Sequence, residues 1–165
     1  MTAHRLTALA ALAVLVPLVA TSASSAASND AGSVTPAGAP PVVELLSRGT
    51  VAKPFEAEAH DIELETDRPI DVAVAHLTFE PAGSTGWHSH PGPTVVTVTA
   101  GELTVTDHRC NSHTYQAGET FVEAGPRRHL AVNTGDTLTE SIVTFFVPTW
   151  ADALTTPRPA PRCAD

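Results

Sequence analysis

Three histidines are the residues of this sequence best suited to carry chemistry. His88 and His90 stand two residues apart, and His129 follows further along the chain. In an extended strand, residues i and i+2 point to one face about 6.5–7 Å apart, so both imidazoles of the pair can reach one ion. Three neutral nitrogen ligands suit Fe, Mn, Zn, Ni or Cu and leave coordination positions open. The sequence therefore predicts a divalent transition metal held by His88, His90 and His129.

The elements that would position these histidines are strands. Short apolar runs, separated by Gly, Pro or Asn-Thr-Gly, predict an all-β sandwich or barrel. The candidate strands occupy residues 42–46, 71–80, 94–99, 102–107, 118–123, 129–133 and 138–147. Only the closure of a barrel would bring His129 across the interior to the other two histidines. The barrel is expected to span residues 42–149.

The segment around the histidine pair resembles the first sequence motif of the cupin family. That motif is a Gly, an HxH pair, an acid three or four residues later, and a further Gly. Here Gly83, the two histidines and Gly101 match the pattern.

The second cupin motif runs from a Gly through a Pro-x-Gly turn to a His and an Asn. Here it is matched by Gly118, a shuffled turn at residues 124–126, His129 and Asn133. The resemblance covers about residues 69–148 and is closest to small secreted bacterial (actinobacterial-type) cupins of the cupin 2 conserved-barrel family. It implies a double-stranded β-helix, or jelly-roll, barrel, and the family's tendency to associate allows a homodimer.

The acid of the first motif is missing, because its positions hold Thr94 and Val95. Alternation along this strand predicts that Thr94 faces inward. A neutral hydroxyl is a poor ligand for a divalent ion, so the expected set is three histidines with water, an open centre that favours an anionic substrate. Glu102, Glu119 and Glu123 are candidates to replace the acid, but their spacing places them at strand ends or turns.

Four residues are predicted to line a substrate pocket beside the metal: Thr94, His76, Phe121 and Asn133. His76 shares a strand face with two valines and could point inward, although an ordinary, partly buried histidine is an equally good interpretation. Asn133 could instead satisfy backbone groups within the barrel.

The N-terminus predicts export. A charged start precedes an apolar run at residues 6–20 and a series of small residues, the pattern of a secretory signal peptide over residues 1–26 cleaved near Ala26. The run, with Pro17 inside it, is shorter than the roughly 20 residues that span a bilayer. Residues 27–41, rich in Gly, Ala, Ser and Pro, are expected to form a disordered linker.

The two cysteines, Cys110 and Cys163, allow one disulfide in an oxidising compartment. Such a bond would pin the Pro-rich C-terminal tail, residues 150–165, to the loop at Cys110. A reactive thiol or a soft metal ligand is the alternative interpretation.

The composition limits the partners. The chain has 18 acidic against nine basic residues, a formal charge of −9, which repels nucleic acids and anionic lipids. A small molecule is the expected partner, with no nucleic acid and no membrane contact in the mature form. Two functions stay open: a non-heme metal-dependent oxygenase of dioxygenase type, and a non-catalytic extracellular module that binds a metal or small ligand.

Overall fold

The computed structural model describes residues 38–164. The predicted signal peptide, its cleavage near Ala26 and most of the linker lie outside the described residues. Within the described part, no helix is long and apolar enough to cross a membrane.

The described chain is built of strands, as the short apolar runs predicted. They are β1 (Val42–Val51), β2 (Phe55–Ala59), β3 (Ile62–Thr66), β4 (Ile70–Phe79), β5 (His88–Ser89), β6 (Thr94–Ala100), β7 (Glu102–Thr106), β8 (Ser112–Gln116), β9 (Thr120–Glu123), β10 (Leu130–Val132), β11 (Thr139–Pro148) and β12 (Thr156–Pro157). A short 3₁₀ turn, Arg162–Ala164, follows near the C-terminus. The all-β prediction is confirmed.

The strands form two layers. The larger sheet has the antiparallel order β1-β4-β11-β6-β9. The other layer contains the three-stranded sheet β10-β7-β8 and the short pair β12-β5. Two isolated bridges, between Ser84 and Val132 and between His88 and His129, join the β5 region to β10. The strands β2 and β3 form a separate hairpin.

Alternation decides which side chains reach the core. In β6, Thr94, Val96 and Val98 are buried, and the residues between them are more exposed. The predicted inward orientation of Thr94 is therefore correct. On β4 the inward positions near the site are alanines, and Ala73 lies opposite Phe145 of β11. A small residue beside a large one lets the two strands pack without a gap.

The C-terminal tail lies against the strand that carries the first histidine. Cys110 and Cys163 form the predicted disulfide, with a Cα–Cα distance of 6.1 Å. Between the barrel and Cys163, β12 pairs with β5. Arg158 strengthens this contact, because its amide donates to the Trp87 carbonyl and its Nε donates to the Ser89 hydroxyl. The tail is thus attached in its middle, at β12, and again at Cys163.

Candidate metal centre

The backbone places two of the three histidines directly opposite each other. The amide of His88 donates to the carbonyl of His129 and the amide of His129 donates back, both at 2.9 Å. His90 follows two residues after His88, so its side chain returns to the same side of the strand. The ligand nitrogens of the three rings lie within 4.8 Å of one another, and all three residues are buried. The structure therefore brings together the predicted set.

Two glycines shape the segment that carries the histidine pair. Gly86 has a φ of 64°, a left-handed conformation that costs glycine little and other residues more. Gly92 packs against β11 so closely that a Cβ atom there would overlap the carbonyl oxygen of Phe146. These positions let the chain turn sharply before His88 and run tightly along the sheet after His90.

Each imidazole is oriented by a backbone carbonyl. Nδ1 of His88 donates to Gly86, at 3.0 Å, and Nδ1 of His90 donates to Leu154, at 2.8 Å. Nδ1 of His129 donates to Arg127, at 3.1 Å. Because Nδ1 of each ring donates to a carbonyl, Nε2 is the nitrogen that is left to bind a metal. This is the outer arrangement typical of metal-binding histidines.

A fourth ligand candidate comes from Glu123, at the end of β9. Its two carboxylate oxygens lie 3.1 Å from Nε2 of His90 and 3.0 Å from Nε2 of His129. Glu123 is the cross-strand partner of Thr94, which occupies the acid position of the first motif. Beside the three-histidine set that was expected to be completed by water, the neighbouring strand thus places a carboxylate in contact with two of the histidines.

The donor set fits a cation. Nε2 of His129 is buried and has no hydrogen-bond partner among the described residues, although Glu123 lies close to it. A neutral imidazole nitrogen and a carboxylate oxygen are both acceptors, so a proton or a metal ion must lie between them for the contact to be favourable. Three nitrogens and one carboxylate suit a divalent transition metal.

The pKa shifts of the same groups also favour a bound cation. Burial, with help from the neighbouring His129, lowers the pKa of His88 to about 4, so this ring is neutral at physiological pH. Burial alone would raise the pKa of Glu123, but His129 and His90 bring it down to about 2. Burial also acts against protonation of His129, yet the Glu123 carboxylate outweighs it and raises the pKa of that ring. A proton shared by His129 and Glu123 is therefore what a metal ion would replace.

An apolar cavity of about 220 Å³ lies between the two layers, beside the histidine cluster. His88 and His90 line it, and the ring of Phe145 lies 5.3 Å from that of His90. The predicted pocket residue Phe121 also lines this cavity. The rest of the wall is mostly apolar and includes Leu77, Phe79, Val96, Leu103, Ala131 and Val143.

The other predicted pocket residues lie elsewhere. Thr94 is fully buried and faces the interior, but it does not line this cavity. His76 lies on the outer face of β4, where its Nε2 is 3.8 Å from a carboxylate oxygen of Glu140. Asn133 is fully buried, and its side-chain amide is occupied by backbone groups. Of the four predicted pocket residues, only Phe121 lines this cavity, and Thr94, His76 and Asn133 do not.

Glu123 is the residue of this cluster that the sequence alone does not single out. It was one of three candidate acids, and its position at a strand end counted against it. The strand end is where the site lies, however. The register between β6 and β9 would have identified Glu123, because it places this residue opposite Thr94. A linear motif does not contain that register.

The comparison with family models agrees with this architecture. Residues 75–145 match the family model described as "Cupin domain". Among curated proteins, none matches the sequence. A double-stranded β-helix protein of Klebsiella pneumoniae is similar in structure, with 17% identity, a TM-score of 0.49, and coverage of 75% of this chain and 89% of the other.

Two further solved structures are similar over shorter stretches. A cupin 2 conserved-barrel protein of Salinispora arenicola has 13% identity and a TM-score of 0.47, over 66% of this chain and 76% of the other. An oxalate oxidase in complex with the substrate analogue glycolate has 29% identity and a TM-score of 0.42, over 47% of this chain. The match spans 42% of that oxidase, less than half of its length.

Proposed function

This chain belongs to the cupin family, and from that premise we propose that it is an exported, mononuclear metal-dependent enzyme of oxygenase type that acts on a small molecule. Its ligands in this proposal are His88, His90, His129 and Glu123. The observation that carries the proposal is the convergence of these four side chains, two of which, His88 and His90, line an apolar cavity.

The ligand set leaves room for chemistry. A divalent transition ion bound there would supply Lewis acidity and, if it is redox-active, electron transfer. Four protein ligands would leave coordination positions on such an ion open to a small molecule. The three carbonyls that accept from the imidazoles hold the rings in place, and the cavity beside His88 and His90 offers a largely apolar wall to the reacting molecule.

The second candidate is a non-catalytic module that binds a metal or small ligand. One observation favours it: apart from the two histidines, the polar residues lining the cavity are Thr85, Ser141 and Thr155, none of which is a strong acid or base. An enzyme with this wall must therefore move protons through its own ligand set, through Glu123 above all, or through the substrate.

The decisive experiment measures metal and turnover on the full-length chain, expressed with export so that the disulfide forms. We expect about one transition metal ion per chain by mass spectrometry. His129→Ala should lose it, and His113→Ala, which changes an exposed histidine on β8, should keep it. Oxygen uptake is then followed with phenolic, flavonol and thiol substrates.

The outcomes separate the two candidates. Metal-dependent oxygen uptake with one substrate class supports the enzyme. Stoichiometric metal without turnover on any substrate supports the binding module. A wild-type protein that takes up no transition metal from any supplied salt would overturn both.

Export is tested separately. The described disulfide supports an oxidising destination, since such bonds persist outside the reducing cytosol. Mass spectrometry of the exported protein should find a new N-terminus close to residue 27. Retention of residues 1–26 on the exported chain would contradict the proposed signal peptide.

A further inference from the structure

The cavity extends from the metal centre to a buried serine. Inward-facing residues of neighbouring strands form rows across the larger sheet, and the row of Thr94, Phe145 and Ala73 lies at the level of the histidines. Two inward rows further along the strands, about 13 Å away at 3.3 Å per residue, Ser141 lies opposite Leu77. Ser141 and Leu77 both line the cavity.

Ser141 is polar, buried and unpaired. None of its surface is exposed, and its Oγ has no hydrogen-bond partner among the described residues. Thr139, the preceding inward residue of β11, shows the contrast. Its hydroxyl donates to the Glu102 carbonyl at 2.7 Å and accepts from the Glu102 amide at 3.1 Å. A buried hydroxyl without a partner is costly, so Ser141 destabilises the barrel unless something in the cavity bonds to it.

Water is a poor partner for this hydroxyl. An ordered buried water typically makes about three hydrogen bonds, and two to four polar partners are needed to hold it. The residues that line the cavity around Ser141 are apolar, among them Leu77, Phe79 and Val143. Such a wall favours a molecule that is itself largely apolar and brings one polar group to the serine.

We propose that Ser141 is the specificity-determining residue for the ligand of this cavity, and that the ligand is a small, largely apolar molecule with polar groups at two opposite ends. One end is an oxygen that reaches the metal centre, and the other is a hydroxyl or carbonyl that bonds to Ser141. This inference rests on the proposed function, because it uses the same metal site.

Size narrows the class further. An apolar cavity of about 150 Å³ is known to hold benzene. The 220 Å³ here therefore accommodates a single substituted ring. Very small, fully polar dianions would leave the apolar wall uncovered and lose their hydration without replacement. They are therefore poor ligands for this cavity, even though the metal could bind them.

The test compares two ligands that differ only at the far end. The compounds 4-(hydroxymethyl)benzoate and 4-ethylbenzoate have the same ring and the same carboxylate, but only the first can hydrogen-bond to Ser141. Binding to the metal-loaded, full-length protein is measured by calorimetry for wild type, Ser141→Ala and Ser112→Ala. The control removes an exposed hydroxyl on β8 that bonds to Thr106.

The measured quantity is the affinity ratio of the two ligands. We expect the wild-type ratio to exceed the Ser141→Ala ratio by about tenfold, the contribution of one hydrogen bond at the upper end of the usual range. Ser112→Ala should keep the wild-type ratio, and Ser141→Ala should keep its affinity for 4-ethylbenzoate. The variant should also fold, since it removes an unpaired hydroxyl.

Three results would overturn the proposal. They are an unchanged ratio in Ser141→Ala, no binding of either compound by metal-loaded protein, and tighter binding of oxalate than of both ring compounds. Metal content is measured in the same samples. If any of these three results is obtained with protein that carries its full metal content, only the role of Ser141 is contradicted. If the wild-type protein contains no metal, the proposed function itself is contradicted.

Discussion

Thr94 and Glu123 face each other across the paired strands β6 and β9. Thr94 is fully buried, and its Oγ1 has no hydrogen-bond partner in the described part of the chain. The Glu123 side chain is 10% exposed and reaches both His90 and His129. A carboxylate therefore lies beside the histidines although the linear motif lacks one, and it comes from the neighbouring strand.

This relationship predicts that a carboxylate at position 94 can replace the carboxylate of Glu123. Glu123→Thr should weaken metal binding at least as much as loss of an outer-sphere partner does, by about 10- to 100-fold. Adding Thr94→Glu to that variant should recover most of the loss, because the new carboxylate starts from the directly opposite position. Metal affinity is measured by competition with a chelator of known strength.

The matched control is Glu119→Thr, which removes a carboxylate at a turn away from the histidines. It should leave metal affinity within about twofold of wild type. If Thr94→Glu with Glu123→Thr binds metal no better than Glu123→Thr alone, the two positions are not equivalent.

The sequence was sufficient for much of the site. The spacing of His88 and His90 predicted convergent ligands, and alternation correctly turned Thr94 inward. Glu123 could not be ranked above the other acids because its role depends on the register of β6 against β9. That register is set by long-range pairing and packing, not by any local pattern.

His76 shows a different limit. Alternation correctly grouped it with Val72 and Val74, but the larger apolar side chains suggested that this face was the core. In the structure the core side of β4 carries the smaller Ala73 and Ala75, which lie opposite Phe145 and Val143 of β11. Hydrophobicity alone cannot identify the inner face when small residues are needed to fit large neighbours.

The tail should influence the metal centre, because His90 donates its Nδ1 proton to the Leu154 carbonyl. The disulfide holds the far end of this tail. We expect Cys110→Ser with Cys163→Ser to lower metal affinity by about tenfold, since the outer partner of a metal-binding histidine becomes less well positioned. The comparison is made on folded protein, verified by circular dichroism.

Arg128→Ala provides a second, independent way to loosen the tail, because Arg128 donates to the carbonyls of Pro159 and Ala160. It should lower metal affinity in the same direction while leaving the disulfide intact. Unchanged affinity in both variants would show that the position of Leu154 does not depend on the attachments that follow it.

Asn133 is expected to contribute stability and not binding. Its amide group donates to the carbonyls of Phe79, Glu80 and Thr137, and its carbonyl accepts from the Gly135 amide. Asn133→Ala removes these bonds and leaves buried carbonyls unpaired, which should lower the free energy of unfolding by about 2–4 kcal/mol. Metal stoichiometry of the folded fraction should stay at the wild-type value. If Asn133→Ala lost metal while its free energy of unfolding stayed at the wild-type value, Asn133 would be part of the metal site.

Asp71 should make stability depend on acid pH. Hydrogen bonds from Thr50 and Arg48 lower its pKa below the ordinary value of 3.8, so folding favours the ionised carboxylate. Its stabilising effect is therefore fully present above about pH 4 and is lost as the pH falls through the lowered pKa. Asp71→Asn should lower Tm at pH 7, and the difference from wild type should shrink towards pH 2. Asp67→Asn, which changes an exposed ion pair, should cause little loss at either pH. A difference for Asp71→Asn that does not vary with pH would contradict the ionic origin of its effect.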